Sequence, residues 1–415
     1  MFKTKRLGLF IHWGLYSVGE KHEQEMWRFS VDSPAYEKYV SLFNPTEYNP
    51  EEWVQLAKEC GFDYITFTTK HHDGFCMWDT KYTDYKITNT PYGRDVLKKL
   101  SEACEDEGIA LSLYYSVPDW HHPNYPNTTG HHEVKTAEET PEANEPLYIE
   151  YVKNQLVELL TGYGKIQSFF WDIPPKTRDK SLNELIRSLQ PGILINNRGY
   201  DEGDFSTPER MSADGASFDG LTEACDSVGK ESWGYRSIED YHSNLYITSS
   251  IDRYMAMGAN YVLNVGPDGL GRIPEVSKEI LKNVGAWYGN VKEALYAKPV
   301  KYDWAAKKGI LTTRDENTLY LHFPQIPDAT GFYIPEIEVL PKKATVLNDS
   351  APLSVSMDLM PSRFNGHKDS MTEVCHINGI PVNKLSNQAI VIKLEFENLD
   401  SSIIKTNTSD ATRIL

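Results

Sequence analysis

Two carboxylates in this 415-residue chain stand where they could break a glycosidic bond. Asp172 closes the apolar run Ile166–Trp171, which would hold it rigidly at the end of a strand. Glu209 lies 37 residues later in a Gly/Pro loop, placed to approach from above. Cleavage of a sugar bond needs such a pair. One carboxylate attacks the anomeric carbon, and the other protonates the leaving oxygen and then activates water. Spacing alone also admits a plainer reading, in which Asp172 caps the next helix and Glu209 is a loop acid.

The histidines come in adjacent pairs, His71-His72, His121-His122 and His131-His132. Neighbouring side chains on a strand point to opposite faces, so such a pair is poorly placed to grip one ion. Neither HxH nor HExxH spacing occurs, and no metal is expected. Histidines acting as donors to sugar hydroxyls, beside a stacking Trp, fit the pattern better; His131 and His132 read as a solvated loop. No GxGxxG follows a strand and there is no P-loop, so no nucleotide cofactor is expected. A GxSxG elbow is also missing, against a serine hydrolase.

The elements that must position these groups alternate. Arg6–Trp13, Tyr64–Thr69, Ile109–Ser116, Ile166–Trp171, Ile193–Asn196 and Asn260–Val265 read as strands, with helical patterns between them. Asn49-Pro50-Glu51-Glu52 carries a cap, a first-turn proline and acids on the positive helix end. Gly108 supplies a stop after the stripe Val96, Leu97, Leu100, Ala103 and Cys104. Strand–helix alternation over residues 1–298 predicts an α/β fold, a (β/α)8-like barrel. From 299 to 415 short strands and turns predict a C-terminal antiparallel β-sandwich. Trp304 in that part reads as a core residue more readily than as a stacking surface.

Barrels place chemistry at the carboxyl ends of strands. Here those ends read His12-Trp13-Gly14, Lys70-His71-His72-Asp73, Asp119-Trp120-His121-His122, Trp171-Asp172 and Asn196-Asn197-Arg198, followed by Thr207-Pro208-Glu209 and Ser232-Trp233-Gly234-Tyr235. That is a polar pocket with aromatic walls.

Composition removes other classes. The net charge is −17, a field that repels phosphate backbones and anionic lipid, so neither nucleic acid nor membrane is an expected partner. No run approaches the roughly 18–20 apolar residues of a membrane span. The first residues lack signal-peptide anatomy, so the expectation is a cytoplasmic protein, or a periplasmic or secreted one if a leader has been removed. Five widely spaced cysteines without a CxxC pair predict buried thiols and no disulfide framework. Self-association stays open as a homo-oligomer.

Taken together, Leu7–Gly14 with Tyr16-Ser17-Val18, Thr68–Trp78 (TTKHHDGFCMW), Gly93-Arg94-Asp95-Val96, Tyr114-Tyr115-Ser116, Asp119-Trp120, Asn197-Arg198, Ser232–Tyr235 and Asn260–Pro267 (NYVLNVGP) resemble the glycoside hydrolase family 29 α-L-fucosidases. The resemblance runs to about residue 300. It implies retaining exo-hydrolysis of terminal α-L-fucose on fucosylated oligosaccharides or glycoconjugates, by double displacement through a fucosyl-aspartate and without cofactor. It also implies roles: Asp172 as nucleophile, Glu209 as acid/base, His12, Glu25, His71, His72, Trp171 and Arg198 as substrate ligands, and Trp233 against the C5 methyl group. Glu223 and Glu231 rival Glu209. Phe170 and Met26 stand where family members often carry Trp. A hydrolase of a related sugar, such as an L-galactoside or modified fucoside, and a decayed fucose-binding protein are the alternatives.

Overall fold

The computed structural model describes every residue except 1, 127–131, 136–137, 211–212, 336–339, 362–370, 400–412 and 415. The chain forms two compact units. One comprises Met1–Glu209, Glu223–Tyr241 and Val262–Leu281, the other Arg210–Thr222, His242–Tyr261 and Lys282–Leu415.

The first sheet contains β1 (Leu7–Ile11), β2 (Tyr64–Lys70), β3 (Ala110–Ser116), β4 (Ile166–Asp172), β5 (Leu194–Ile195), β6 (Glu223–Ser227) and β7 (Asn260–Val265). Its hydrogen-bonded order is β5-β4-β3-β2-β1-β7-β6. The pairs from β1 through β5 run parallel. Parallel strands are covered on both faces, which is why β1, β2 and β7 are buried from end to end. The expected eight-stranded barrel is thus a barrel-like parallel sheet of seven strands among the described residues. β6 reads Glu-Ala-Cys-Asp-Ser, too polar to be recognised as a strand from its pattern.

Local signals shape the helices between strands. Asn49 Oδ1 accepts the Glu52 N–H at 3.1 Å, Asp95 Oδ1 accepts that of Lys98 at 2.8 Å and Asn144 Oδ1 that of Leu147 at 3.2 Å. Gly108 closes the helix Val96–Glu107 at φ 70°, the left-handed conformation glycine takes without strain.

The second unit is built on β8 (Lys298–Val300), β9 (Leu311–Asp315), β10 (Thr318–Phe323), β11 (Gly331–Pro335), β12 (Lys343–Val346), β13 (Ala351–Pro361), β14 (Met371–Asn378) and β15 (Ile390–Glu395). All eight join in one order, β11-β14-β13-β12-β15-β10-β9-β8, with antiparallel pairing. The expected sandwich is therefore one continuous antiparallel sheet in its hydrogen bonding. Leu319, Leu321, Ile334, Val346, Ile390 and Ile392 belong to its core, and Trp304 packs against that core. The helix Asn244–Ala256 belongs here, where His322 Nδ1 meets Asp252 Oδ1 at 2.7 Å with both groups fully buried.

All five cysteines are free and buried. Among the described residues no helix is long and apolar enough to cross a membrane.

Glu223 opens β6 and Tyr64 opens β2, so both lie at the amino ends of their strands. The Tyr64 hydroxyl donates to Glu223 Oε2 at 2.6 Å. Burial outweighs that bond and pushes the Glu223 carboxyl up from 4.5 to about 7. The folded chain holds a proton that the unfolded chain releases, so this group's contribution is full below the ordinary glutamate value and declines as pH rises through about 7. Glu223→Gln should gain thermal stability relative to the parent protein between about pH 5 and about pH 8, read as the difference in Tm. An unchanged difference across that range would sink the assignment.

Candidate active site

At the carboxyl edge of the parallel sheet a cavity of 110 Å³ is lined by His12, His71, His72, Asp172, Arg198, Glu209 and Trp233, among others. Beneath it Phe10, Tyr64, Tyr114, Phe170, Cys225 and Val262 pack as one buried cluster, with Trp233 against them. The pocket therefore has an apolar floor.

Asp172 ends β4. Its Oδ1 accepts the Arg198 Nη1–H at 3.0 Å and the Ile173 N–H at 3.0 Å, and its Oδ2 accepts the Tyr114 hydroxyl at 2.7 Å. Burial alone would raise the carboxyl's pKa. The Arg198 charge, followed by His72 and the Tyr114 bond, prevails and holds Asp172 below the usual carboxylate range. The same Arg198 Nη1 donates to Glu209 Oε2 at 2.6 Å. Arg198 is itself fixed, with Nε donating to Thr207 Oγ1 at 2.8 Å and Nη2 to the Thr207 carbonyl at 2.7 Å. One guanidinium thus ties together two carboxylates that the sequence sets 37 residues apart.

Hydrogen-bond accounting settles two histidine tautomers. Asn264 Nδ2 donates to the Trp233 carbonyl at 2.7 Å and to Ser227 Oγ at 3.0 Å, so its Oδ1 accepts from His12 Nδ1 at 2.6 Å. The Ser116 hydroxyl gives its proton to the Pro118 carbonyl at 2.7 Å, so its oxygen accepts from His72 Nδ1, also at 2.7 Å. Both rings carry a proton on Nδ1, and a neutral ring in that tautomer keeps Nε2 as an acceptor. Burial lowers His72 to about 4 and holds His71 well below its ordinary value, the neighbouring histidines adding to the effect on His71. Neutral His72 therefore offers Nε2 as an acceptor, where the sequence pattern suggested histidine donors to sugar hydroxyls.

The two rings of His71 and His72 lie 4.1 Å apart and share one cavity, against the expectation of opposite faces. The reason is that β2 ends at Lys70, so strand alternation no longer applies. Ligand-type atoms of His71, His72 and Asp172 lie within 4.8 Å of one another. The trio could in principle hold an ion, but the guanidinium already bonded to Asp172 supplies its positive charge and repels a cation.

Other expected ligands are placed elsewhere. Trp171 points away from the cavity and donates Nε1–H to Asn183 Oδ1 at 2.8 Å; its neighbour Phe170 lines the pocket instead, as alternation on β4 requires. Glu25 is buried, but its Oε1 meets Lys21 Nζ and the Tyr39 hydroxyl, each at 3.1 Å, and it does not line the cavity. Glu23 and Gln24 do. Glu23 Oε2 accepts from Ser232 Oγ at 2.7 Å and from the Trp233 and Gly234 amides at 2.9 and 3.3 Å. Burial raises the Glu23 carboxyl, yet His22 and these bonds bring it below its ordinary value. Of the rival acids, Glu223 lies at the opposite end of its strand and Glu231 is solvent-exposed beside Lys230.

Sequence reasoning also missed His132, which lines the cavity and stacks on Trp27 at 4.8 Å; His131 lies outside the described residues. Asp119, His121 and His122 form a clasp away from the cavity. The Lys70 ammonium bonds Asp119 Oδ2 at 2.8 Å and sits 4.4 Å from the centre of the Tyr115 ring, with the pair buried. Asp119 Oδ1 accepts the His121 and His122 amides.

A barrel-like parallel sheet carrying two bridged carboxylates and neutral histidines at its carboxyl edge defines a glycoside hydrolase. The alpha-L-fucosidase family model matches residues 1–293. Human tissue alpha-L-fucosidase is 27% identical over 361 residues, which is 78% of this chain and 76% of that one. Alpha-L-fucosidase isoenzyme 1 from Paenibacillus thiaminolyticus superposes with a TM-score of 0.79 at 31% identity, over 96% of this chain and 98% of that one. A Bacteroides thetaiotaomicron alpha-L-fucosidase of family 29, solved as a trapped covalent intermediate with 2-fluoro-fucosyl fluoride, gives 0.73 at 27% identity, over 95% of this chain and 94% of that one. The chain belongs to the alpha-L-fucosidase family, glycoside hydrolase family 29.

The clasp beneath His71 and His72 has a measurable worth. Lys70→Met leaves Asp119 buried without its partner, and the free energy of unfolding in denaturant should fall by about 3–5 kcal/mol. Lys70→Met/Asp119→Asn should recover part of that loss. A single variant as stable as the parent would refute the clasp.

Proposed function

We propose that the chain is a retaining exo-α-L-fucosidase acting on terminal α-L-fucose of oligosaccharides or glycoconjugates, with Asp172 as nucleophile and Glu209 as acid/base. The observation that carries this reading is the shared Arg198 Nη1. Asp172 Oδ1 and Glu209 Oε2 are bonded to the same nitrogen at 3.0 and 2.6 Å, so they can be no farther apart than those two bonds laid end to end. That limit is close to the roughly 5–5.5 Å of retaining enzymes and below the ~6.5–9.5 Å that inverting enzymes leave for a water.

In the first step an Asp172 oxygen attacks the anomeric carbon while Glu209 gives its proton to the departing glycosidic oxygen. The product is a fucosyl-aspartate ester and a free alcohol. In the second step Glu209 takes a proton from water, the water oxygen attacks the same carbon, and the ester bond to Asp172 breaks. Two inversions return the starting configuration. The depressed pKa of Asp172 keeps it ionised for attack. His12 and His72 accept sugar hydroxyls through Nε2. Phe10, Phe170 and Trp233 offer the apolar surface that suits a methyl group on C5, and this favours a 6-deoxy sugar over L-galactose. The closed floor of the pocket supports removal of a terminal residue. The covalent intermediate trapped in the Bacteroides relative gives the chemistry a precedent.

Release of nitrophenol from 4-nitrophenyl α-L-fucoside tests the assignment. Asp172→Ala should be inactive and recover with azide, giving β-fucosyl azide; Glu209→Ala should give the α-azide. Rescue of Asp172→Ala with the α product would overturn the nucleophile. The Arg198 charge should also show in the pH profile of kcat/KM. Without it burial governs Asp172, so in Arg198→Met the acid limb should move to higher pH, with Arg198→Lys moving it less. An acid limb that stays in place in Arg198→Met would mean that another group sets it.

A further inference from the structure

Each of the two carboxylates is followed directly by a residue with a left-handed backbone. Asp172 ends β4, and Ile173 has φ 58°. Glu209 is bridged to Cys225 on β6, and Arg210 has φ 47°. Seven non-glycine residues take positive φ among the described residues, and two of the seven fall at these two positions. Strain of this kind persists where the surroundings over-determine it, and it gathers at functional sites.

Ile173 is the more costly of the two. A β-branched residue in the left-handed region is a true outlier, and a following proline, here Pro174, favours an extended residue before it. The peptide plane between Asp172 and Ile173 holds the turn. Its carbonyl accepts the Val117 N–H at 2.9 Å. Carbonyl and N–H point opposite ways in a trans peptide, so fixing the first aims the second. The Ile173 N–H thereby meets Asp172 Oδ1 at 3.0 Å.

The consequence falls on the carboxylate, whose oxygens each have two lone-pair sites. Those of Oδ1 are taken by Arg198 Nη1 and the Ile173 N–H, each at 3.0 Å. Oδ2 takes the Tyr114 hydroxyl at 2.7 Å and keeps one site open, with His72 Nε2 3.8 Å away in the sugar pocket. The torsion that turns a carboxyl group is soft, so two donors fixed on one oxygen decide which lone pair faces the sugar.

We propose that Ile173 is a positioning residue for the nucleophile: its amide, aimed by the left-handed turn, works with Arg198 to hold Oδ1 of Asp172 aside and leave Oδ2 to attack the anomeric carbon. This rests on the fucosidase reading above. An Oδ2 lone pair forms the ester bond as the glycosidic bond breaks and Glu209 protonates the departing oxygen. The donor belongs to the backbone, so the isoleucine side chain is secondary.

The experiment replaces the Asp172–Ile173 peptide bond by an ester, with the α-hydroxy analogue of isoleucine at position 173, and compares that protein with Ile173→Gly. The ester removes the N–H. Glycine keeps the N–H and takes the left-handed backbone without strain. On 4-nitrophenyl α-L-fucoside the ester variant should lose about tenfold or more in kcat with KM within about twofold of the parent, because orientation of the nucleophile acts in the transition state. Its acid limb should move to higher pH, since one hydrogen bond to the ionised form is gone while Arg198, His72 and Tyr114 remain. Ile173→Gly should hold the acid limb in place and lose less than about threefold in kcat. An ester variant with the parent's kcat and acid limb, or Ile173→Gly as impaired as the ester, would overturn the assignment and leave the fucosidase reading standing. The parent protein gives a measurement that does not depend on the variants folding. In its fucosyl-enzyme trapped with 2-fluoro-fucosyl fluoride, a crystal structure should show the sugar on the oxygen facing Tyr114, with Arg198 and Ile173 still bonded to the other. A sugar on the oxygen facing Ile173 would equally overturn it. A parent that cleaves no α-L-fucoside would remove the fucosidase reading, and this inference with it.

Discussion

The site depends on one guanidinium held between two carboxylates. Burying Asp172 without a counter-charge would drive it toward its neutral form, and a second carboxylate close by would add to that pressure. Arg198 reverses the balance at Asp172, and its fork reaches Glu209 with the same nitrogen. The geometry is set from outside the pocket. Thr207 takes two further bonds from Arg198, one through its hydroxyl and one through its carbonyl, so the loop that delivers Glu209 also anchors the arginine. A planar, always-charged group with several donors suits this place in a way that lysine does not.

Around that pair the parallel sheet supplies rigid hydrogen-bond partners that fix protonation. Asn264 on β7 and Ser116 on β3 each demand a donor from a histidine, and His12 and His72 answer with Nδ1–H. Burial then keeps His72 neutral, to a pKa of about 4. A neutral His72 adds no second cation to the guanidinium already bonded to Asp172. The Lys70–Asp119 pair pins the end of β2 to the segment after β3, at the point where the strand gives way and both histidines turn inward.

Much of this was legible in the sequence, for identifiable reasons. Apolar runs with helical caps between them forecast the parallel strands, and the Asn49, Asp95 and Asn144 caps are local interactions that local sequence encodes. The order of His12, His71, Asp172 and Arg198 at strand ends pointed to one rim. Elements with little pattern were lost. β6 is polar and gives no apolar alternation, whereas β13 does alternate, Leu353, Val355, Met357 and Leu359 with Ser354, Ser356 and Asp358, although Met357 and Leu359 end up exposed. The same limit misplaced single residues: Glu25 was named where Glu23 lines the pocket, and Trp171 where Phe170 does.

By itself the sequence determined which chemistry-bearing residues the chain has and that strand ends would present them, because period and capping are short-range. It also carried the family's motifs. Tertiary structure alone decided which side chain of adjacent pairs faces the cavity, since one residue of shift at a strand end reverses it. Folding likewise placed Glu223 at the far end of its strand and brought Glu209 to Arg198. The histidine tautomers came from partners on other strands, Asn264 lying 252 residues from His12, and no local pattern contains that information.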